Sequence, residues 1–253
     1  MCFWYYFLGI FGILIVLIIV FGFPRKKNTN RTPNLEGIDD PQVAKAFERM
    51  SNFLPFELLR RKVISKLKAF TPQGTLVDLG CGSGNLIVQM AKKLPSLNLI
   101  GLDISSEILE FAKKRAIEKK VAEKIEFKLG NAEKMPFENN SIDFLVSTLS
   151  LHHWQNPSEV LKEIYRVLKE NGIFLIFDFR RDSRKFFYGF LTFVTKVVVP
   201  KPLKKVNEPL GSLRSGYTPK EVLQLCAQAS FQEVKITPFL AWMFASGKKQ
   251  GKF

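Results

Sequence analysis

Between residues 75 and 179 short apolar runs rich in β-formers alternate with stretches of helical periodicity, and this alternation limits the fold more than any other feature. The runs are TLVDLG (75–80), LNLIGLDI (97–104), KIEFKLG (124–130), SIDFLVST (141–148) and GIFLIFDF (172–179). Between them NLIVQMAKKL, SEILEFAKKRAIEKK and PSEVLKEIYRVLKE carry apolar residues at helical intervals. Strands alternating with helices at this spacing build βαβ units with right-handed crossovers. The expected fold is therefore α/β: a Rossmann-like, doubly wound, mostly parallel sheet with helices on both faces.

Helix signals agree with this segmentation. Asn156-Pro157-Ser158-Glu159 and Thr218-Pro219-Lys220-Glu221 each place a capping residue, a first-turn proline and a Glu at the third helical position. Asn171-Gly172 is read as the stop of the first of these helices. Two more helices are expected ahead of the first strand, one from Asp40-Pro41 and one over about 55–70.

The N-terminus differs from the rest. Residues 3–23 carry no charge over 21 positions, and as a helix this length spans about 30 Å, the thickness of a bilayer's hydrocarbon core. A cleaved signal peptide is disfavoured, because no basic residue precedes the run and no small-residue cleavage site follows it. Trp4, Tyr5 and Tyr6 lie at one end and Arg25, Lys26, Lys27 and Arg31 at the other. The pattern predicts a single-pass transmembrane helix over 1–23, partnered by the lipid bilayer through 3–23, with the remainder on the cytoplasmic side. A polar, basic linker is expected over 24–39 and one domain over 40–253. Within it 40–70 form N-terminal helices, 71–180 the ligand-binding core, 181–217 a lid or substrate segment, and 218–253 a C-terminal helix and strands.

The net charge is +15, yet its basic residues are scattered in clusters that match no nucleic-acid motif, so no nucleic-acid partner is expected. Beside a bilayer, anionic headgroups are the nearer partner for such residues. The three cysteines, Cys2, Cys81 and Cys226, are too far apart for a disulfide framework or a metal site.

The stretch VDLGCGSGN (77–85) leaves the first strand and enters the first helix of the sheet, where doubly wound folds bind ligands. A dinucleotide turn reads G-x-G-x-x-G and seats a pyrophosphate on the helix N-terminus. Here the glycines are Gly80, Gly82 and Gly84, and Asp78 stands ahead of them. A carboxylate there repels phosphate and suits a ligand with positive charge. Asp103 ends the second strand 25 positions later, where a carboxylate can accept both hydroxyls of a ribose. Together these imply a nucleoside with a cationic tail.

At these residues the sequence resembles the class I S-adenosylmethionine-dependent methyltransferases, in particular the group that includes the quinone-biosynthesis C-methyltransferases, over about residues 40–247. VDLGCGSGN is similar to that family's first motif, GLDIS (101–105) to its second-strand acid, and GNAEKMPFENNSIDFLVSTLSLHHW (130–154) to the segment through its fourth strand. The resemblance implies a seven-stranded sheet and S-adenosyl-L-methionine as cofactor. It implies that the backbone at Gly80, Cys81 and Gly82 cradles the methionine part, with Asp78 near the ammonium and Gly84 also among the cofactor-binding residues. Asp103 would then hold the ribose, Ile104 would pack on the adenine, Asn131 and Ala132 would meet its edge, and Ser147 would lie by the methionyl group. The family usually has Asp where this chain has Asn131; an amide oxygen can still accept from adenine, but its NH₂ must find an acceptor too.

Methyl transfer from a sulfonium is an in-line displacement, so positioning and water exclusion can supply much of the rate. A base is needed only where the acceptor must lose a proton. The candidates are His152 and His153, after the fourth strand, and Asp178, at the end of the fifth. The opposing readings are a strand-to-helix connection with satisfied imidazoles and a surface-loop acid. Cys81 and Trp154 read as packing residues.

The acceptor is expected to meet the aromatic, basic segments 47–62 and 184–205. With the apolar N-terminus they suggest a lipid-like or prenylated quinone acceptor. A soluble small molecule or protein as acceptor, and a non-catalytic cofactor-binding scaffold, stay open.

Overall fold

The computed structural model describes residues 12, 14, 21–26, 30–33 and 40–251. Most of the helix expected over 3–23 lies outside the described residues. Among the described residues no helix is long and apolar enough to cross a membrane. This finding overturns the single-pass membrane localisation with a cytoplasmic domain that the apolar run suggested.

Two helices precede the sheet: α1 (Pro41–Ser51) and α2 (Leu54–Lys68). Asp40 caps α1 by accepting the Gln42 N–H at 2.8 Å. The alternating core follows as β1 (Thr75–Leu79), α3 (Asn85–Lys93), β2 (Asn98–Asp103), α4 (Ser106–Glu118), β3 (Ile125–Leu129), β4 (Ile142–Thr148), α5 (Pro157–Val167) and β5 (Leu168–Phe179). A short 3₁₀ turn, Leu151–His153, separates β4 from α5. Next come α6 (Lys185–Phe193), α7 (Lys201–Lys205), α8 (Leu210–Ser215) and α9 (Pro219–Gln228), and the chain closes with β6 (Gln232–Pro238) and β7 (Trp242–Lys248).

The seven strands lie in the order β3-β2-β1-β4-β5-β7-β6. β1 to β5 are parallel, and β7 runs antiparallel to both β5 and β6. The chain winds outward from β1 through β2 to β3, then returns to the other side of β1 for β4 and β5. That reversal opens a crevice at the carboxyl ends of β1 and β4.

Strand periodicity divides the core. Val77, Leu79, Leu145 and Phe174 pack on the face covered by α5 and α9, whereas Leu76, Val146, Leu175 and Phe177 pack on the face covered by α2 and α3. Asp78 shares the parity of Leu76, so its carboxylate is set among apolar neighbours. Above the carboxyl edge, Val43 and Ala46 of α1 cluster with Val199 and Leu203. The 181–217 segment is thus fastened to the N-terminal helices.

Two local expectations changed. Thr218 and Glu221 form a reciprocal capping box on α9, but Asn156 makes no side-chain cap on α5 and donates its amide to the Glu133 carboxylate at 3.1 Å. The described part of 24–39 is docked on the domain: the Lys26 N–H donates to the Ser183 carbonyl at 3.0 Å, and the Lys185 N–H to the Pro24 carbonyl at 3.0 Å.

Candidate functional site

The carboxyl ends of β1, β2, β4 and β5 and the helices above them enclose a cavity of about 1100 Å³. The glycine loop forms its floor. Gly80 and Cys81 both donate their N–H to the Leu102 carbonyl, at 2.8 and 3.0 Å, which folds the loop across onto β2. Gly82 has φ +54°, and a Cβ there would meet nothing within 4 Å, so it would project into open space. Its N–H donates to the Asp103 carboxylate at 2.8 Å, and the other oxygen of Asp103 accepts the Ser105 N–H at 3.1 Å. Ser105 in turn caps α4.

Asp78 lies beneath this floor and is itself outside the cavity lining. It is 1% exposed, and neither carboxylate oxygen meets a hydrogen-bond partner among the described residues. Burial, and then the nearby Asp103 charge, push its pKa up to about 8. A buried carboxyl without a partner is costly and is relieved by a cation or a donor. The site therefore fits the amino group of an aminoacyl nucleoside above it. Burial also drives the Cys81 thiol well up, with Asp78 and Asp103 adding to the effect, so Cys81 is an inert packing residue.

Further along the rim, Ile104 lines the cavity while 69% exposed, an apolar surface suited to a flat base. Asn131 and Ala132 line the same end. The Asn131 side-chain oxygen already accepts the Glu133 N–H at 2.8 Å, leaving one lone pair for a ligand.

Two expected contacts are corrected. Ser147 is fully buried and its hydroxyl donates to the Leu79 carbonyl at 2.8 Å. It shares the parity of Leu145 and is turned into the core, while Thr148, Leu149 and Ser150 line the cavity instead. Gly84 is not among the lining residues; it has φ +76° and a Cβ there would stand 2.9 Å from the Ala112 Cβ. Its smallness serves the close approach of α3 to α4.

The three catalytic candidates are brought together. His152 and Asp178 are 2% and 1% exposed. The His152 Nδ1 lies 2.5 Å from Asp178 Oδ1, and the His152 backbone N–H donates to Asp178 Oδ2 at 3.1 Å. His153 packs its ring against that of His152 at a 3.9 Å centroid distance. Both histidines line the cavity. Asp178 is buried at the end of β5, not in a surface loop.

Sequence reasoning missed Arg31, Ser150, Glu208 and Ser212, all of which line the cavity. Arg31 donates to the carbonyls of Ser215 at 2.8 Å and His152 at 2.9 Å, with its guanidinium 4.5 Å from the Tyr217 ring centroid. It clasps the turn carrying His152 to α8. Glu208, buried at the same wall, accepts from the Ser212 hydroxyl. Neither position belongs to a local motif. Among the described residues no group of three or more His, Cys, Asp or Glu could hold a metal ion.

A mostly parallel sheet with a strand-order reversal, a glycine loop over a buried unpaired acid and a second acid one strand away are the features of a nucleoside-binding α/β fold. Residues 71–228 match the family described as a methyltransferase domain, and the chain belongs to that family; it is an S-adenosylmethionine-dependent methyltransferase. The demethylmenaquinone methyltransferase of Lactobacillus johnsonii is 34% identical over 149 residues, 57% of this chain and 61% of that protein. The chain thus matches less than two thirds of that relative's length. The ubiquinone/menaquinone biosynthesis C-methyltransferase UbiE of Rickettsia bellii is 28% identical over 188 residues, 72% of this chain and 75% of that protein. Among solved structures, the plantazolicin methyltransferase BpumL, in complex with a triazolic desmethylPZN analog and SAH, shares the fold. Its TM-score is 0.67 at 19% identity, with 85% of this chain and 93% of that one covered.

Proposed function

We propose that the chain methylates a small, apolar, hydroxyl-bearing ring compound of the demethylated quinol kind. The observation that carries this reading is a cavity of about 1100 Å³, above the roughly 300–1,000 Å³ of a pocket for one small ligand. Its lining combines the glycine-loop backbone and carboxylates such as Asp103 with aromatic residues, among them Phe47, Phe56, Phe177 and Phe179.

S-adenosylmethionine supplies an activated methyl group on a sulfonium. Asp78 receives the amino group of its methionine part, the Gly80, Cys81 and Gly82 backbone passes beneath that part, Asp103 accepts the ribose hydroxyls, and Ile104 with Asn131 and Ala132 encloses the base. The segment 181–217 covers the acceptor end and excludes water, which orients the acceptor for in-line attack. The quinone-type acceptor is further supported by the names of the two sequence relatives.

The test is incubation of the full chain with methyl-labelled cofactor and either reduced demethylmenaquinone or a water-soluble catechol. Preferential labelling of the demethylmenaquinol is expected. Labelling of the catechol alone would overturn the apolar acceptor, and labelling of cell proteins alone would overturn the small-molecule acceptor.

A further inference from the structure

The acceptor end of the cavity holds a pair of side chains whose arrangement exceeds what packing requires. Asp178 engages His152 twice, through the ring Nδ1 at 2.5 Å and through the backbone N–H at 3.1 Å. Both the ring angle and the tautomer follow from this. With a carboxylate on Nδ1, the proton sits on Nδ1 and the Nε2 lone pair is left for other work. Nε2 is buried and meets no hydrogen-bond partner among the described residues, although His152 lines the cavity. A histidine kept for structure is satisfied at both nitrogens, because a buried polar atom without a partner is costly. An imidazole fixed on one side and unpartnered on the other is prepared for a group that arrives.

Its position suits the reaction. Ser150, one residue before the 3₁₀ turn that carries His152, crowds the glycine loop so closely that a Cβ on Gly80 would stand 2.4 Å from its hydroxyl. The turn is therefore held against the loop assigned above to the methionine part of the cofactor. Arg31 fixes the turn from the other side through the His152 carbonyl.

We propose that His152 is the general base of the transfer, with Asp178 and Arg31 as positioning residues, and that the acceptor is a weakly acidic ring hydroxyl. The proposal rests on the methyl-acceptor reading given above. As the hydroxyl oxygen attacks the methyl carbon, the carbon–oxygen bond forms and the carbon–sulfur bond breaks, its electron pair staying on sulfur as a neutral thioether. The hydroxyl proton passes to Nε2, and the imidazolium formed is balanced by Asp178. The charged and titratable groups around the pair are Asp178 from β5, His153 on the same turn, Arg31 and Tyr217 behind the carbonyl, and Glu208 ahead of α8.

Two measurements on the full chain test it. In protein loaded with S-adenosylhomocysteine, the ¹⁵N resonance of His152 Nε2 is followed on addition of 2-naphthol. A shift that is lost in Asp178→Asn is expected, and an unmoved resonance would overturn the proposal. In turnover with the demethylmenaquinol acceptor, His152→Asn should lower kcat at least about 100-fold and remove the acidic limb of its pH profile. S-adenosylhomocysteine affinity should change less than about twofold. An acidic limb unchanged in His152→Asn would overturn the base assignment. If the parent methylates no ring hydroxyl, the acceptor reading fails, and the naphthol titration still decides whether Nε2 receives one.

Discussion

The Asp103 carboxylate accepts the Gly82 N–H at 2.8 Å and so ties the end of β2 to the loop that follows β1. A residue expected to bind ligand also shapes the cradle before any ligand arrives. A hydrogen bond to a charged group contributes roughly 1.5–3 kcal/mol. Asp103→Asn removes that charge and sets an amide where the ribose hydroxyls are proposed to sit. Calorimetry with S-adenosylhomocysteine should show affinity reduced at least about 10-fold, and unchanged affinity would exclude Asp103 from the site.

With Asp78 as the proposed partner of the cofactor's amino group, binding is expected to be proton-linked. Its pKa is raised to about 8, chiefly by burial and then by Asp103, against about 3.9 for an aspartate in an unfolded chain. Between these values the folded state holds a proton that the unfolded state has released, so stability falls as pH rises through this window. The burden is absent below about pH 4 and complete above about pH 8. Ligand-free Asp78→Asn should therefore match the parent in urea unfolding near pH 4 and exceed it near pH 9. An ammonium group placed over Asp78 restores the carboxylate. Binding of S-adenosylhomocysteine at pH 7 should then release close to one proton, seen as a dependence of the binding heat on buffer ionisation, and Asp78→Asn should abolish that dependence.

The order of the elements was legible because periodicity is local: the apolar runs 75–80, 97–104 and 141–148 end within one residue of the carboxyl ends of β1 (Leu79), β2 (Asp103) and β4 (Thr148). The glycine spacing and the two acids were legible for the same reason. Ser147 was misplaced because its direction depends on which face Leu145 and its other same-parity neighbours take, and that is decided by the helices packed above. The partnership of His152 and Asp178 spans 26 residues; both could be placed at the carboxyl edge, but not turned toward each other. Arg31 was read with the apolar N-terminus, since nothing near it in sequence announces contacts to residues 121 and 184 positions away.

Two glycines of one loop should separate into different phenotypes. Gly84→Ala adds a methyl at φ +76° and 2.9 Å from the Ala112 Cβ, with the Ala112 Cα at 3.1 Å. Neither atom is the end of a flexible side chain, so strain and overpacking together should cost about 2–4 kcal/mol in urea unfolding. Gly82→Ala meets no atom within 4 Å and should cost only the left-handed backbone penalty of roughly 1–2 kcal/mol. Its methyl stands over the proposed cofactor cradle, so S-adenosylhomocysteine affinity should fall more in Gly82→Ala than in Gly84→Ala. The opposite order would mean that the loop reaches the ligand through another residue.

Arg181 fastens the start of the 181–217 segment to α9 by a forked ion pair with Glu221, while donating also to the Gly216 carbonyl at 3.0 Å. Burial pushes the Glu221 carboxyl up, but hydrogen bonds from Arg181 and from the Thr218 backbone and hydroxyl outweigh it and hold the pKa at about 2. A carboxyl depressed in the folded state adds stability that is complete above its unfolded pKa and lost as pH falls through the folded one. The loss should run from near pH 4.5 down to about 2. The side chain of Glu221 is 37% exposed, so solvent screens part of the interaction, and Glu221→Gln at pH 7 should cost about 1–2 kcal/mol. Urea unfolding should show the parent and Glu221→Gln converging as pH is lowered toward 2. If the pair also holds the 181–217 segment over the acceptor, protease cleavage within that segment at pH 7 should be faster in Glu221→Gln; an unchanged rate would assign the ion pair to α9 alone.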